Sequence, residues 1–143
     1  MYPNTANKMP IRNKNILYPK LSYISYGLFY KIHNQLGRFR NEKQYADAFE
    51  ELLKENKINY MREVALPVSF KGEKERRNIP DFIINDKIII DFKAERIITK
   101  EDYYQMRRYL VSYNKKLGIL VNFRQPSLIP KRILNTELLK GNS

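Results

Sequence analysis

Asp81, Asp91 and Lys93 are the residues of this chain whose types and spacing suit chemistry on a charged substrate. They stand at the far ends of two apolar runs, Phe82-Ile83-Ile84 and Ile88-Ile89-Ile90, with Asn85-Asp86-Lys87 between them. Strand formers broken by a polar turn predict a β-hairpin. Asp91 and Lys93 are two apart and so share one face of their strand. Turn length decides whether Asp81 joins them. A two-residue turn at Asn85-Asp86 pairs Ile84 with Lys87 and sets Asp81 opposite Ile90, on the wrong face. A three-residue turn pairs Ile84 with Ile88 and Asp81 with Asp91. A slip of one residue moves every side chain of a strand to the other face. The expectation is therefore an odd turn or a bulge, with Phe82, Ile84, Ile88, Ile90 and Phe92 on the core face.

Two carboxylates and a lysine at one spot suit a hard divalent cation such as Mg²⁺ or Mn²⁺, which takes carboxylate, carbonyl and water oxygens. Such an ion lowers the pKa of a bound water and neutralises charge on a phosphate under attack. Lys93 beside it would orient that water or stabilise the developing charge. The plain alternative is a surface hairpin with a solvated Asp–Lys pair.

The flanking segments must position these groups. Leu21, Ile24, Leu28 and Ile32 form one stripe of a helix from Leu21 to about Leu36, and Gly37 is its stop. Tyr23, Tyr26, Phe29 and Tyr30 broaden its apolar surface. A second helix, about Asn41 to Glu55, buries Tyr45, Ala48, Phe49, Leu52 and Leu53. Glu42 falls on its inward side in the first turn, where an acid also suits the helix dipole. Asn59 to Phe70 alternates and predicts a strand, with Pro67 marking an edge or bulge. A charged turn follows whose basic end, Arg76-Arg77, leads into Pro80-Asp81.

Beyond the hairpin, Thr99 is a good N-cap for a helix from Lys100 to about Tyr113, with Asp102 completing a capping box. Gln105 and Tyr109 share a face with Asp102, Met106, Leu110 and Tyr113 lie on the adjoining one, and Arg107 and Arg108 add basic surface. Leu117 to Phe123 reads as a buried strand, parallel to that of Asp91 because a helix separates them. Leu128 to Leu134, carrying Lys131 and Arg132, adds an edge strand. The predicted organisation is a basic irregular arm over 1–19, one α/β domain over 20–135, and a frayed tail over 136–143.

Charge points to the partner. The chain carries 27 Lys+Arg against 15 Asp+Glu, a net charge of +12 over 143 residues. That balance favours a polyanion, nucleic acid first. With no cysteine and one histidine, His33, disulfides, thiolate metal sites and a His-rich zinc site are excluded. No apolar run approaches the roughly 20 residues that span a bilayer. The N-terminus lacks the apolar region of a signal peptide, so an intracellular protein is expected.

The order of motifs resembles the PD-(D/E)xK nuclease superfamily and, within it, the small proteins called GxxExxY. The resemblance runs through Leu21-Ser22-Tyr23, Leu36-Gly37 with Glu42 and Tyr45, Lys71-Gly72, Pro80-Asp81 and Asp91-Phe92-Lys93. It continues through Gln105 with Tyr109-Leu110, Leu117 to Phe123, and Lys131-Arg132-Ile133. It implies a restriction-endonuclease-like α/β/α core, a small mixed β-sheet flanked by helices. It implies that Asp81 and Asp91 are metal ligands, that Lys93 is the catalytic lysine, and that Glu42 is a further acid binding metal directly or through water. Gln105 and Tyr109 resemble the QxxxY motif of the RecB-like branch, which lies against the active site. Two positions depart from the pattern: Phe39 stands where the family's named motif opens with glycine, and the second acid is Asp91 where Glu is commoner.

The expected function is a Mg²⁺- or Mn²⁺-dependent nuclease acting on phosphodiesters, with DNA favoured over RNA. Arg76, Arg77, Arg107, Arg108, Lys131 and Arg132 are the expected phosphate contacts. Several superfamily members act as dimers, which makes an aromatic-rich homodimer face a further expectation. The alternatives are a nucleic-acid-binding or regulatory module with the same fold and little cleavage, and a partner protein whose charge serves an acidic protein surface.

Overall fold

The computed structural model describes residues 16–66, 70–74 and 79–140. Its elements in chain order are α1 (Pro19–Leu36), α2 (Glu42–Glu55), β1 (Tyr60–Arg62), β2 (Phe82–Ile84), β3 (Ile88–Lys93), α3 (Lys100–Tyr113), β4 (Leu117–Asn122), β5 (Lys131–Leu134) and α4 (Thr136–Lys140). The strands form one mixed sheet in the order β1-β2-β3-β4-β5, with β3 and β4 parallel and the other neighbours antiparallel. The helix between β3 and β4 supplies the crossover that a parallel pair requires.

The hairpin takes the odd turn. Phe82 pairs with Ile90, Ile83 with Ile89 and Ile84 with Ile88, leaving Asn85, Asp86 and Lys87 as the connection. Asn85 (φ 50°) and Asp86 (φ 55°) both adopt the left-handed region, which Asn and Asp tolerate better than other side-chain-bearing residues. The pleat then sorts the side chains. Phe82, Ile84, Ile88, Ile90 and Phe92 join Leu117, Ile119 and Val121 against α1 and α2. Ile83, Ile89 and Leu120 face Met106, Tyr109 and Leu110 of α3. The result is three layers, consistent with the restriction-endonuclease-like core.

Aromatic packing fills the first layer. Phe29 lies 5.2 Å from Phe49 and 5.8 Å from Phe92, and the Tyr45 ring stacks on Phe123 at 4.2 Å. Each such pair adds about 0.5–1.5 kcal/mol beyond its area burial. His33 belongs to this packing: its Nε2 lies 2.9 Å from the Gln125 carbonyl and its ring 6.3 Å from Phe123. On the other layer α3 sits directly over Gly118, where a Cβ would run into the Met106 side chain.

Three expectations change. The buried stripe of α1 is Ser22, Ser25, Leu28, Phe29 and Ile32, while Ile24 stays exposed. Small serines let the helix approach closely, and Ser25 satisfies its hydroxyl on the Leu21 carbonyl one turn back at 2.7 Å. The alternation from Asn59 gives only the short strand β1, because Glu63 (φ 52°) turns the chain out of extended geometry. Val64, Leu66 and Phe70 are exposed, and Pro67 and Val68 lie outside the described residues. Of the tail expected to fray, Thr136–Lys140 forms the short helix α4, and residues 141–143 lie outside the described residues. Asn135 is buried, donates to the Leu110 and Lys115 carbonyls, and accepts from the Leu138 amide.

Candidate active site

The three-residue turn carries Asp81 across from Asp91, and each aspartate bonds to the backbone of the other strand. Asp81 N–H donates to Asp91 Oδ1 at 3.2 Å, and Phe92 N–H donates to Asp81 Oδ2 at 2.7 Å. Lys93 lies one pleat further along the same face, with its Nζ 3.2 Å from Asp91 Oδ2. These residues end the β3 ladder at the point where β3 and β4 run out together, since Lys93 pairs with Asn122.

Helix α3 delivers the next groups. Thr99 and Asp102 form the reciprocal capping box, at 3.2 and 2.9 Å, which fixes the first turn against the end of β3. From that turn Asp102 Oδ1 lies 3.8 Å from Lys93 Nζ, and from the second turn Gln105 Oε1 accepts from the same nitrogen at 2.9 Å. One turn on, the Tyr109 hydroxyl donates to the Ile79 carbonyl at 3.2 Å, bracing the chain that enters Pro80-Asp81. From the opposite layer Glu42, first residue of α2, reaches round the strand end and accepts from Ala94 N–H at 3.3 Å. Its placement follows from the capping box of Asn41 and Gln44. Glu42, Asp81, Asp91, Lys93, Gln105 and Tyr109 thus all border one region.

Burial sets the electrostatics. Asp91 is pushed up to about 8, first by burial and then by the Asp81 charge, with Lys93 opposing. Burial also raises Asp81 and Glu42 above the usual carboxylate range. Burial works against the Lys93 ammonium, but Asp91, Asp102 and Glu42 outweigh it and hold its pKa above the ordinary lysine value. Lys93 therefore stays charged at neutral pH.

Sequence reasoning passed over Glu95 and Asn122. Glu95 is pushed up to about 7 by burial and by Asp102, to which it is hydrogen-bonded, so below that pH it holds a proton that Asp102 accepts. Asn122 is buried at the end of β4 and clamps the backbone of Glu95, accepting its N–H at 3.1 Å and donating to its carbonyl at 2.7 Å. The available signal was one polar side chain, Asn122, closing an otherwise apolar strand.

The expected phosphate contacts fare differently. Arg76 and Arg77 lie outside the described residues. Arg107 lines a groove with Tyr103, Tyr104, Ile133 and Leu134, on the β5 side of α3. Arg108 pairs with Glu101 at 3.3 Å, and Lys131 is exposed on the edge strand. Arg132 is half-buried and also borders that groove, but its guanidinium donates to Ser22 Oγ at 2.7 Å and the Leu17 carbonyl at 3.0 Å and so ties β5 to α1.

A divalent cation fits the Asp81–Asp91 pair. With Asp91 buried and Asp81 half-buried against it, the two carboxylates resist being charged together without a proton or a cation beside them, and the raised pKa of each expresses that demand. Among the described residues no group of three or more His, Cys, Asp or Glu is gathered as a metal cage. A hard ion that keeps several waters, as Mg²⁺ does, needs only one or two carboxylates.

A search among curated proteins and one among solved structures each gave no match. The family model of the PD-(D/E)XK nuclease superfamily matches residues 19–133. That span runs from the start of α1 into β5 and takes in the Pro80-Asp81 and Asp91-Phe92-Lys93 motifs, and the chain belongs to the PD-(D/E)XK nuclease superfamily.

Proposed function

We propose that the protein is a metal-dependent nuclease that hydrolyses phosphodiester bonds of nucleic acid, DNA in preference to RNA. The observation that carries this reading is the contact of Asp81 with Asp91 beside a charged lysine held at 3.2 Å. Asp81 and Asp91 would hold Mg²⁺ or Mn²⁺, with Glu42 reaching the ion through water. When bound, such an ion supplies an acidified water and screens the charge of the phosphate.

The chain's own groups do the rest. Lys93 presents its ammonium toward the attacked phosphate and stabilises charge as it develops. Gln105 and Asp102 restrict where that ammonium points, through contacts of 2.9 and 3.8 Å. Tyr109 keeps the Ile79 segment, and with it Asp81, in register. The excess of 27 Lys+Arg over 15 Asp+Glu supplies affinity for phosphate, which weakens as salt rises.

The test is cleavage of labelled single-stranded, duplex and branched DNA, and of RNA, in Mg²⁺, Mn²⁺ or EDTA, with Asp91→Ala and Lys93→Ala alongside. Cleavage that needs the ion and disappears in both variants is expected. Binding without cleavage by the wild type in either metal would overturn the nuclease and leave a nucleic-acid-binding module.

A further inference from the structure

Phe39 is 74% exposed, the most open of the large hydrophobic side chains among the described residues. It is not on a loose loop. Gly37 (φ 75°) turns the chain out of α1, and the Tyr45 hydroxyl then donates to the Gly37 carbonyl at 2.6 Å and accepts from Arg40 N–H at 3.1 Å. Tyr45 is itself stacked on Phe123 in the core. The guanidiniums of two arginines lie over the ring, Arg38 at 4.8 Å and Arg124 at 5.6 Å from its centroid, and still leave it 74% exposed. They are locked reciprocally: Arg38 Nε donates to the Arg124 carbonyl at 2.7 Å, and Arg124 Nε to the Arg38 carbonyl at 2.9 Å. Neither guanidinium forms an ion pair among the described residues.

This cluster adjoins the site. Phe123, next to Arg124, donates its N–H to the Lys93 carbonyl at 2.9 Å. Phe39 is three residues before Glu42, so the two backbones are at most about 11 Å apart. That is roughly three stacked nucleotides at ~3.4 Å each.

A rigid exposed ring grouped with two fixed cations has the chemistry of a base-stacking site, since every base offers a π-face while the guanidiniums meet phosphate. A paired duplex hides its base faces everywhere but at its two ends. Resting on the nuclease reading and extending it to substrate class, we propose that Phe39 stacks an unpaired base of the substrate. Arg38 and Arg124 hold the flanking phosphates, so strands with unpaired nucleotides beside the scissile bond are the preferred substrate.

The test measures binding in EDTA, so that cleavage does not enter. A fluorescein-labelled 20-nucleotide single strand and its blunt duplex are titrated by anisotropy with wild type, Phe39→Ala and Phe39→Trp. In parallel, 2-aminopurine is moved along the single strand to report stacking. The expected result is a 2-aminopurine change at a defined position in wild type and Phe39→Trp. Phe39→Ala should abolish it, weaken single-strand binding about tenfold or more, and leave duplex binding unchanged. Equal affinity in wild type and Phe39→Ala, equal loss on strand and duplex, the same loss in Phe39→Trp, or no binding by wild type overturns the proposal. Metal-dependent cleavage judges the nuclease reading separately. Phe39-dependent stacking without cleavage sinks that reading alone, and cleavage indifferent to Phe39 sinks the platform alone.

Discussion

Lys93 and Gln105 meet at 2.9 Å between the last residue of β3 and the second turn of α3, so the ammonium of the site is aimed by a helix in the layer beyond the sheet. Asp91 supplies charge to Lys93, whereas Gln105 supplies direction. Gln105→Ala removes the direction and leaves the ion pair at 3.2 Å intact. The expected outcome is a fall in kcat of about tenfold to a hundredfold, the scale of a misplaced catalytic group. KM and substrate affinity in EDTA should stay near wild type. Steady-state kinetics on the cleaved substrate checks this, and a rise in KM with kcat preserved would assign Gln105 to substrate binding instead.

The same aim depends on how closely α3 lies on the sheet. A Cβ at Gly118 would run into Met106, the residue after Gln105. Gly118→Val must push α3 outward or force Met106 off its rotamer. Overpacking of this kind costs about 1–3 kcal/mol. Urea unfolding should show that loss, and kcat should fall as Gln105 is carried away from Lys93.

Glu95 gives the stability a pH dependence. Its pKa rises on folding to about 7, so the native state holds this proton to higher pH than the unfolded chain does. Its contribution is full below the ordinary glutamate range and is lost as pH climbs through about 7. Metal-free protein should therefore weaken from pH 5 to pH 8. Glu95→Gln keeps a donor toward Asp102 without a titrating proton, so its urea midpoint should vary less over that window. Asp91, pushed up to about 8, together with the raised Asp81 and Glu42, accounts for the slope that remains. A Glu95→Gln profile as steep as wild type would show that Glu95 releases its proton at its ordinary pKa.

The register that joins Asp81 to Asp91 was legible because two rules act on few residues. The pleat has period 2, and the turn contains Asn85, Asp86 and Lys87, so one integer decided the geometry. The capping box of α3 was equally local. Glu95 and Asn122 were not legible: they are 27 residues apart and meet only through the parallel pairing of β3 with β4. Ile24 misled because a stripe of apolar residues states which face is greasy, while close approach favoured the face carrying Ser22 and Ser25. The break of β1 at Glu63 has no local signature, since Glu carries no preference for the left-handed region it adopts.

Tyr109 offers a separable test of the entry to Asp81. Its hydroxyl donates to the Ile79 carbonyl at 3.2 Å, and burial, followed by the charges of Asp91 and Asp81, raises its pKa above the ordinary tyrosine value. It is thus a neutral donor throughout the working range. Tyr109→Phe keeps the ring against Ile83 and Ile89 in the same apolar cluster and removes one hydrogen bond. A loss of about 1 kcal/mol in urea unfolding is expected, with a weaker metal-induced rise in Tm as Asp81 loosens. An unchanged metal response would confine Tyr109 to packing.

Arg132 separates charge from architecture. The basic pair Lys131-Arg132 invites assignment of both to phosphate binding, yet the two residues alternate across β5. Lys131 is exposed, while Arg132 ties the strand to Ser22 Oγ and the Leu17 carbonyl. Removing Arg132 takes the charged donor from both acceptors, leaving them only the 3.4 Å hydrogen bond from Ser22 Oγ to the Leu17 carbonyl, and Ser22 is fully buried. Arg132→Ala should therefore cost about 1.5–3 kcal/mol, the range for hydrogen bonds from a charged donor. Lys131→Ala should leave stability within about 0.5 kcal/mol, as surface changes usually do. Nucleic-acid affinity, measured by anisotropy at fixed salt well below each variant's Tm, should be unaffected by Arg132→Ala once the folded fraction is matched. A loss of affinity in folded Arg132→Ala larger than that in Lys131→Ala would return Arg132 to the binding surface.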